Sequence, residues 1–459
     1  MGSPRILIVD PEATALSFAM RCQDEGADLL LYNHQAHSRD IGKNLVPQVA
    51  SLHAAFAWAR QKPTIAIFAS SGMGKADPKR KDGVPIGADE FRAAGIPTIG
   101  GGSFCDRLEN DRIFGEQIAK EAGCRIPPTK TFSTIGQAIA FAKTVGDEGW
   151  YFKSDKYLES DATYGAKDSE DMVRYLEGTR EEFGDNIPCM LQQKIPGVAL
   201  STARWWNGRA WVGPYEGTIE HKKMMNDDLG PSTGCSFNCV WFYDTEPKVA
   251  KSLKWENLTP LFLKHKAPAG LYDINAIVAE KPGPWGPGGE AYYLEFTPRF
   301  GWDSEATSLR LLTLSMPEFF QGISDGTLPE QPFSTSEIAF SVRLSVPPYP
   351  FEHHLENKHS ALGTPIDGAD GLWEGHFIPY SVGLSDEGQL YVADRWGLVG
   401  LSLAVGSNLS TLSEQVLAYA KDDLRIPGLQ FRTDGAARVK DDAKRLVALG
   451  YQVPPSVLR

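Results

Sequence analysis

The feature that most constrains the fold is a series of short apolar runs separated by helical stretches near the N-terminus. The runs are RILIVD, ADLLLYN and TIAIFAS, and a helical stretch from Thr14 to Glu25 separates the first two. Runs that are apolar on both faces are typical of parallel strands, which helices cover on both sides. The alternation therefore predicts a doubly wound α/β domain over residues 1–103. The loop SSGMGK is interpreted as a βα turn, because Ala76 replaces the Ser or Thr of a phosphate loop.

The remainder of the chain shows two further changes of pattern. Strands and helices alternate from about residue 126 to 193 around the polar loop DKYLESDATYG, which predicts a small α+β lid. An antiparallel region follows, with Asn207 and Gly208 at a hairpin turn. From about Ile338 short strands dominate, and two helices end the chain. We therefore expect three domains over residues 1–103, 104–337 and 338–459, the last one small and mixed.

Composition excludes several classes of function. The 459 residues carry a net charge of −12, which disfavours general binding to nucleic acids or to anionic membranes. No apolar stretch approaches the roughly 18 residues that a membrane span needs. The six cysteines are scattered, which is typical of a reducing compartment and predicts a cytoplasmic protein. Cys235 and Cys239 lack the further ligands of a zinc site.

Two strands in the middle of the chain carry polar residues where apolar ones are expected. They read GLYDINAIVAE and YYLEFTPRFGWDSEA, and a loop rich in proline and glycine joins them. Side chains two apart share a face, so pairing of the strands would bring Asn275, Glu295 and Thr297 together, with Arg299 beside them. Oxygen ligands of this kind suit Mg²⁺, and an arginine suits a phosphoryl group. The alternative is a half-exposed strand with surface charges.

This hairpin resembles the metal site of ATP-grasp ligases, and two other segments make the resemblance more specific. HKKMMNDDLGPSTGC is similar to the DHKR…GPNTGG segment of phosphoribosylamine–glycine ligase. The C-terminal block from RWGLVGLSLAVG to QFRTDGA resembles the small final domain of that family. The order and spacing fit along nearly the whole chain. The resemblance implies an N-terminal substrate-side domain, an ATP-grasp domain at 104–337 with a mobile lid at about 126–193, and a C-terminal domain.

The resemblance also implies roles for individual residues. ATP would be bound by Arg112, Lys153, Ser160, Thr163, Gly165, Gln192, Gln193, Lys194 and Ile195. The substrates would be bound by His221, Lys222, Pro231, Ser232, Thr233 and Gly234. Arg299, Asp303 and Lys222 would act in catalysis, with Arg299 on the transferring phosphoryl group and Asp303 on the attacking amine. Asn275, Glu295 and Thr297 would hold Mg²⁺ or Mn²⁺.

The chain departs from the family pattern at several positions. VDPEATAL replaces the GSGGREH-like first loop, which helps to bind phosphoribosylamine in the family. Val198 and Ala199 replace the carboxylates that hold ribose, Lys223 replaces an arginine, and Thr297 replaces the metal asparagine. The lid loop is longer and more polar. These departures preserve ATP chemistry with different residues and change the recognition of the amine.

The implied reaction joins a carboxylate to an amine through an acyl phosphate. In the family the carboxylate is glycine and the amine is phosphoribosylamine. A second hypothesis is an ATP-grasp ligase that joins an amino acid to another amine, such as a modified nucleotide or a biosynthetic intermediate. A third is a nucleotide-binding regulator without turnover, and the GPSTG segment argues against a biotin-dependent carboxylase. The expected partners are small molecules only, and we expect a monomer or a homodimer.

Overall fold

The apolar runs near the N-terminus form a four-stranded parallel sheet, as the sequence predicts. The computed structural model describes residues 4–10, 14–33, 40–75, 85–146, 149–154, 163–351 and 360–459. The first elements are β1 (Arg5–Val9), α1 (Leu16–Asp24), β2 (Asp28–Tyr32), α2 (Leu52–Ala59), β3 (Thr64–Phe68), α3 (Ala88–Ala93) and β4 (Thr98–Ile99). The strand order β2-β1-β3-β4, with helices between parallel strands, is that of a doubly wound sheet.

A helical connection leads to the lid. Two helices, α4 (Ser103–Asn110) and α5 (Arg112–Ala122), meet at Asp111, which caps α5 through its side chain. The lid consists of β5 (Thr129–Phe132), α6 (Ile135–Ala142), β6 (Trp150–Ser154), β7 (Thr163–Gly165), α7 (Ser169–Phe183) and β8 (Cys189–Gln193). Its strands form an antiparallel sheet of order β5-β8-β6-β7, and α6 and α7 cover its small apolar core.

A large antiparallel sheet forms the centre of the molecule. Its elements include β9 (Gly197–Trp206), β10 (Trp211–Met225), β11 (Leu229–Phe242), α8 (Lys248–Ser252), α9 (Leu258–Lys264), β12 (Gly270–Ala279), β13 (Ala291–Thr297), α10 (Asp303–Ser308), α11 (Met316–Asp325) and β14 (Ile338–Ser345). The predicted turn at Asn207 is present, and its side chain accepts hydrogen bonds from the two N–H groups that follow Gly208. Apolar cores lie on both faces of this sheet.

The C-terminal region continues the same sheet. It comprises β15 (Pro365–Ile366), β16 (Phe377–Pro379), β17 (Val382–Leu384), β18 (Leu390–Val392), β19 (Leu398–Gly406), α12 (Leu409–Ala418), a π-helix (Tyr419–Asp423), α13 (Gly435–Ala448) and α14 (Pro455–Leu458). The sheet order is β13-β12-β9-β10-β11-β14-β19-β16, so strands on both sides of residue 338 hydrogen-bond directly. In the described ranges, no helix is both long and apolar enough to cross a membrane.

Candidate active site

The candidate site is built on the hairpin of β12 and β13, where the predicted strand pairing is present. Asn275 lies opposite Glu295, and Asp273 lies opposite Thr297. Directly opposed side chains project from the same face of a sheet, so the four polar groups share one face. The register shifts immediately after Asn275, at Ala276, and such bulges are frequent beside active sites.

Glu295 lies among three cationic side chains that come from three separate elements. Arg112 on α5 donates from Nη1 to Oε2 at 3.2 Å, and Nζ of Lys222 on β10 lies 3.8 Å from Oε1. Desolvation alone would raise the pKa of Glu295, but Lys222, Arg112 and Lys153 together lower it to about 2. The carboxylate is therefore ionised at neutral pH, and the positive charge around it exceeds its own.

Lys153 on β6 is the most deeply buried of these cations. Its side chain belongs to a residue that is 7% exposed, and Nζ donates to the backbone carbonyl of Leu294 at 3.4 Å. Burial lowers the pKa of Lys153 to about 8, although the nearby Glu295 acts in the opposite direction. A partly dehydrated ammonium interacts strongly with an anion such as a phosphate, because little water screens it.

The oxygen atoms around Glu295 fit a magnesium ion that takes few ligands from the protein. Among the described residues, no group of three His, Cys, Asp or Glu side chains is arranged to hold a metal. The Asn275 amide donates to the Thr297 hydroxyl at 2.8 Å, and its oxygen accepts from Ser201 at 2.8 Å. Mg²⁺ usually takes one or two carboxylates and completes its shell with phosphate oxygens and water. Glu295 fits this role directly, whereas Asn275 and Thr297 would have to leave their mutual hydrogen bond.

A small pocket opens beside Glu295, between the lid sheet and the large sheet. Its apolar lining includes Leu108, Met190 and Phe296, and its polar lining includes Glu109, Arg112, Lys153, Gln192 and Glu295. A few charged groups beside apolar side chains can orient a small polar ligand. The position between a lid and a central sheet suits a ligand over which the lid can close.

The predicted adenine-binding strand end lies at the edge of this pocket. Gln192 on β8 lines the pocket, while the backbone N–H groups of Gln193 and Lys194 each donate to a neighbouring backbone carbonyl at 2.8 Å. Ile195 is 6% exposed and packs in a small apolar cluster. Because two of the expected N–H donors are occupied, recognition of adenine by this segment stays a prediction.

The predicted phosphate loop of the lid is only partly described. Ser160 lies outside the described residues. Thr163 and Gly165, which the sequence places in the loop, instead form strand β7 and pair with β6. A Cβ at Gly165 would lie 2.5 Å from the Tyr151 ring, so this glycine is required for packing of the lid. The exposed Thr163, directly opposite Lys153, is the nearest described point at which the lid could contact a phosphate.

No protein-family model matches the chain. Two relatives named phosphoribosylamine–glycine ligase, from Mycobacterium leprae and Halalkalibacterium halodurans, are each 23% identical over 358 and 359 residues. Those alignments cover 76% and 75% of this chain and 79% and 78% of the relatives. The solved phosphoribosylamine–glycine ligase of Thermotoga maritima superposes with a TM-score of 0.68 at 16% identity, covering 94% of this chain and 99% of that one.

The chain resembles the phosphoribosylamine–glycine ligases and has their ATP-grasp fold. A biotin carboxylase from Campylobacter jejuni, solved as a β,γ-ATP complex, also superposes, with a TM-score of 0.59 at 13% identity, covering 99% of this chain and 96% of that one.

The arginine that follows the metal hairpin is held at the rim of the site. Arg299 donates from Nε to Glu109 at 3.0 Å and from Nη1 to the carbonyl of Phe300 at 3.2 Å. Glu109 itself lines the pocket, and its second oxygen is buried without a hydrogen bond among the described residues. Glu109 was not expected from the sequence, although its position three residues before Arg112 places both near the junction of α4 and α5.

Asp303 does not face the site as the resemblance to phosphoribosylamine–glycine ligases implies. It is 1% exposed, and Arg343 on β14 donates to both of its oxygens at 2.8 and 2.9 Å. Both oxygens are therefore occupied inside the protein. The geometry assigns Asp303 to a buried ion pair and leaves it no free oxygen to orient an amine.

The segment that resembles GPNTGG forms the start of β11. The hydroxyl of Thr233 donates to backbone carbonyls, and the Thr233 carbonyl accepts from Arg343 at 2.5 Å. Ser232 and Gly234 are exposed and Pro231 is half-buried, and a Cβ added at Gly234 would meet nothing within 4 Å. This side of the strand therefore faces open space, and its role in binding substrates stays a prediction.

His221 is engaged in a network that joins β10 to the C-terminal region. Its Nδ1 lies 3.1 Å from Asp228 and its Nε2 lies 2.9 Å from Asp442 on α13, so both ring nitrogens are occupied. The ring also stacks on Phe237. The adjacent Lys222 points to the opposite face and reaches Glu295. The structure therefore brings Lys222, but not His221, to the candidate site.

The His221 network should make stability depend on pH. Burial disfavours the imidazolium, but the hydrogen bonds that the ring donates to Asp442 and Asp228 outweigh it and raise the pKa of His221 above its ordinary value of 6.5. Its stabilisation is therefore complete below about pH 6.5 and declines as pH rises through the higher folded-state pKa. We expect His221→Gln to cost about 1.5 kcal/mol at pH 6 and less at pH 9, measured by urea unfolding. His53→Gln, at an exposed position on α2, is the matched control, and an equal cost at both pH values would contradict the prediction.

Proposed function

We propose that this protein is an ATP-dependent ligase that joins glycine to phosphoribosylamine through an acyl phosphate. The observation that carries the proposal is the ionised Glu295 carboxylate among Arg112, Lys153 and Lys222, in a pocket between lid and sheet. Several cations around one carboxylate match the charge pattern of a triphosphate with its metal ion. The similarity to phosphoribosylamine–glycine ligases over three quarters of the chain supports the same reaction.

The chain's own residues bind and orient the reactants. Arg112 and Lys153 would hold the phosphates of ATP, and Lys222 would neutralise charge between Glu295 and the substrate carboxylate. Magnesium held by Glu295, when bound, supplies electrophilic stabilisation of phosphate oxygens. The carboxylate oxygen attacks the γ-phosphorus, which releases ADP and leaves an acyl phosphate. The amine then attacks the acyl carbon and expels phosphate, while the closed lid excludes water.

A second candidate is a ligase that uses the same ATP chemistry with a different amine. The observation that favours it is the first loop, which lacks the paired glycines, arginine and histidine of the family. The Asp10 carboxylate, 1% exposed, accepts from the N–H of Ala15 at 2.7 Å. An anion at the base of this loop is unfavourable for the phosphate of phosphoribosylamine, because like charges repel.

Release of ADP with paired substrates tests both candidates. The assay contains ATP, Mg²⁺, each of the twenty amino acids in turn, and phosphoribosylamine generated in place or omitted. Release that needs both glycine and phosphoribosylamine supports the proposed function. Release with an amino acid that is indifferent to phosphoribosylamine supports the second candidate. Tight ATP binding without release under any condition supports a regulator and contradicts both.

The cysteines bear on the cellular location of the protein. The described cysteines are all free and buried, which fits the predicted cytoplasmic location. ATP and a divalent metal, Mg²⁺ or Mn²⁺, are the expected cofactors, and small molecules are the expected partners.

Lys153 should make ATP binding sensitive to alkaline pH. Because its pKa is lowered to about 8, its positive charge is lost as pH rises through that value. One lost charge weakens phosphate binding by up to about tenfold per pH unit above pH 8. We expect the Kd of MgADP, measured calorimetrically from pH 7 to 9.5, to follow this slope. Lys153→Arg keeps its charge throughout and should remove the slope, so an unchanged slope in that variant would contradict the assignment.

A further inference from the structure

Two ion pairs of opposite polarity join the α4–α5 junction to β13 and the residues that follow it. Glu109, near the end of α4, accepts from Nε of Arg299 at 3.0 Å. Arg112, at the start of α5, donates from Nη1 to Glu295 at 3.2 Å. Each segment therefore supplies one acid and one base. Both bases are expected at the phosphates of ATP, so the two acids set where those bases lie before the nucleotide binds.

Glu109 is part of the pocket wall. Its side chain is 20% exposed, that of Arg299 is 19% exposed, and Glu109 lines the pocket together with Glu295. Its Oε2 is buried without a hydrogen bond among the described residues. A buried carboxylate oxygen that lacks a donor is unfavourable for stability, and a negative charge in a nucleotide pocket repels phosphates. Neither stability nor nucleotide affinity accounts for an acid at this position, which favours a role that is exerted on Arg299.

The guanidinium of Arg299 is held from two directions. Its Nε donates to Glu109, and its Nη1 donates to the backbone carbonyl of Phe300 at 3.2 Å. A guanidinium is planar, so two hydrogen bonds from different nitrogens fix the plane as well as the position of the group. Phosphoryl transfer depends on the orientation of the charged groups around the moving phosphorus. Loss of the bond to Glu109 would leave only the carbonyl of the neighbouring residue to orient this edge of the arginine.

The helix that carries Glu109 is itself anchored. Asp106, one turn earlier on α4, accepts from two backbone N–H groups of the SSGMGK loop at 2.6 and 2.7 Å. Sγ of Cys105 lies 3.4 Å from the hydroxyl of Tyr272 on β12. These contacts tie α4 to the N-terminal sheet domain and to the large sheet. A side chain that orients another group is most accurate when its own element is supported in this way.

We propose that Glu109 is a positioning residue that holds Arg299 in the orientation in which it contacts the transferring phosphoryl group. The inference rests on the proposed function, because that function brings a phosphoryl group to Arg299. Glu109 acts through Arg299 and touches no reacting atom. Removal of its carboxylate should therefore slow phosphoryl transfer, while the affinity for nucleotide stays the same or increases.

The test compares turnover with nucleotide binding in a set of matched variants. Glu109→Leu removes both acceptor oxygens, whereas Glu109→Gln keeps one of them. Arg299→Lys is made alone and together with Glu109→Leu. Glu121→Leu is the control, because Glu121 lies at the exposed end of α5 and pairs with Lys264 at 3.9 Å. ADP formation gives kcat, calorimetry gives the Kd of MgADP and of a β,γ-imido analogue of ATP, and melting curves report folding.

We expect kcat to fall by about 30-fold or more in Glu109→Leu, because a misdirected arginine no longer meets the moving phosphoryl group. The Kd of both nucleotides should not rise, and it should decrease by up to about fivefold as a repulsive charge is removed. Glu109→Gln should recover about threefold or more of the lost kcat, since its amide oxygen can accept from Nε of Arg299. The double variant should be within about threefold of Arg299→Lys alone, because Glu109 acts only through that arginine. The control should match the wild type.

Three results would overturn the inference: an unchanged kcat in Glu109→Leu, a rise in the Kd of both nucleotides as large as the fall in kcat, or independent, multiplying losses in the double variant. If Glu109→Leu does not fold, Glu109→Gln carries the test, with a kcat about threefold or more below that of the wild type and no rise in the Kd of either nucleotide.

Failure of this inference differs from failure of the proposed function. ADP formation by the wild type that is insensitive to Glu109 removes only the inference. ADP formation with a different amine leaves it intact, because the phosphoryl step is the same. Absence of ADP formation by the wild type with every substrate pair contradicts the proposed function, and the inference falls with it.

Discussion

Glu295→Ala should reduce ADP formation by about 100-fold or more while the protein stays folded. The change removes the carboxylate that lies between Arg112 and Lys222, at 3.2 and 3.8 Å, and with it the strongest candidate ligand for magnesium. Arg112, Lys153 and Lys222 then remain without the anion that they share, although Lys222 keeps Glu220 at 3.6 Å. Metal-free ATP should therefore bind at least as tightly to the variant as to the wild type, and Mg²⁺ should no longer improve binding.

Steady-state ADP release and calorimetric titration of ATP with and without Mg²⁺ measure this prediction. Glu170→Ala is the matched control, because Glu170 pairs with Arg174 on the exposed face of the lid helix α7. Activity within threefold of the wild type in Glu295→Ala would show that the carboxylate does not serve the reaction. If activity is lost but Mg²⁺ still improves ATP binding, a residue other than Glu295 holds the metal.

Local patterns in the sequence were sufficient for most of the fold. The apolar runs near Asp10 predict the parallel sheet because a strand that is buried on both faces is apolar at every position and does not alternate with polar residues. The strand pairing of Asn275 with Glu295 follows from the period of two and the proline- and glycine-rich loop that joins the strands. These features depend on residues that are close in sequence, so periodicity and turn chemistry decide them.

Contacts between residues that are far apart in the sequence could not be predicted from such local patterns. The pairing of β11 with β14 carries the large sheet across residue 338, where the sequence suggests a domain boundary. His221 finds Asp442 across 221 positions, and Asp303 finds Arg343 across 40. A polar residue in a segment that resembles a family motif is interpreted as functional until its structural partner is known.

The buried pair of Asp303 and Arg343 gives the second large effect, and it is on stability. Their side chains are 0% and 4% exposed, and Arg343 also donates to the Thr233 carbonyl and to Tyr349. Asp303→Ala leaves an uncompensated guanidinium inside the protein, which costs about 3–5 kcal/mol. We expect this loss in urea unfolding, with a lower melting temperature. Asp441→Ala, at an exposed position on α13, should change neither quantity.

A double variant separates a structural role of Asp303 from a catalytic one. Replacement of both charges, in Asp303→Leu with Arg343→Met, removes the unpaired ion, so most of the lost stability should return. If Asp303 oriented the attacking amine, Asp303→Ala would lose activity without losing stability, and the double variant would stay inactive at full stability. If it holds Arg343, and through Arg343 the Thr233 carbonyl, activity and stability should fall together in Asp303→Ala. In the double variant stability should then recover more than activity, because the hydrogen bond to Thr233 is not restored.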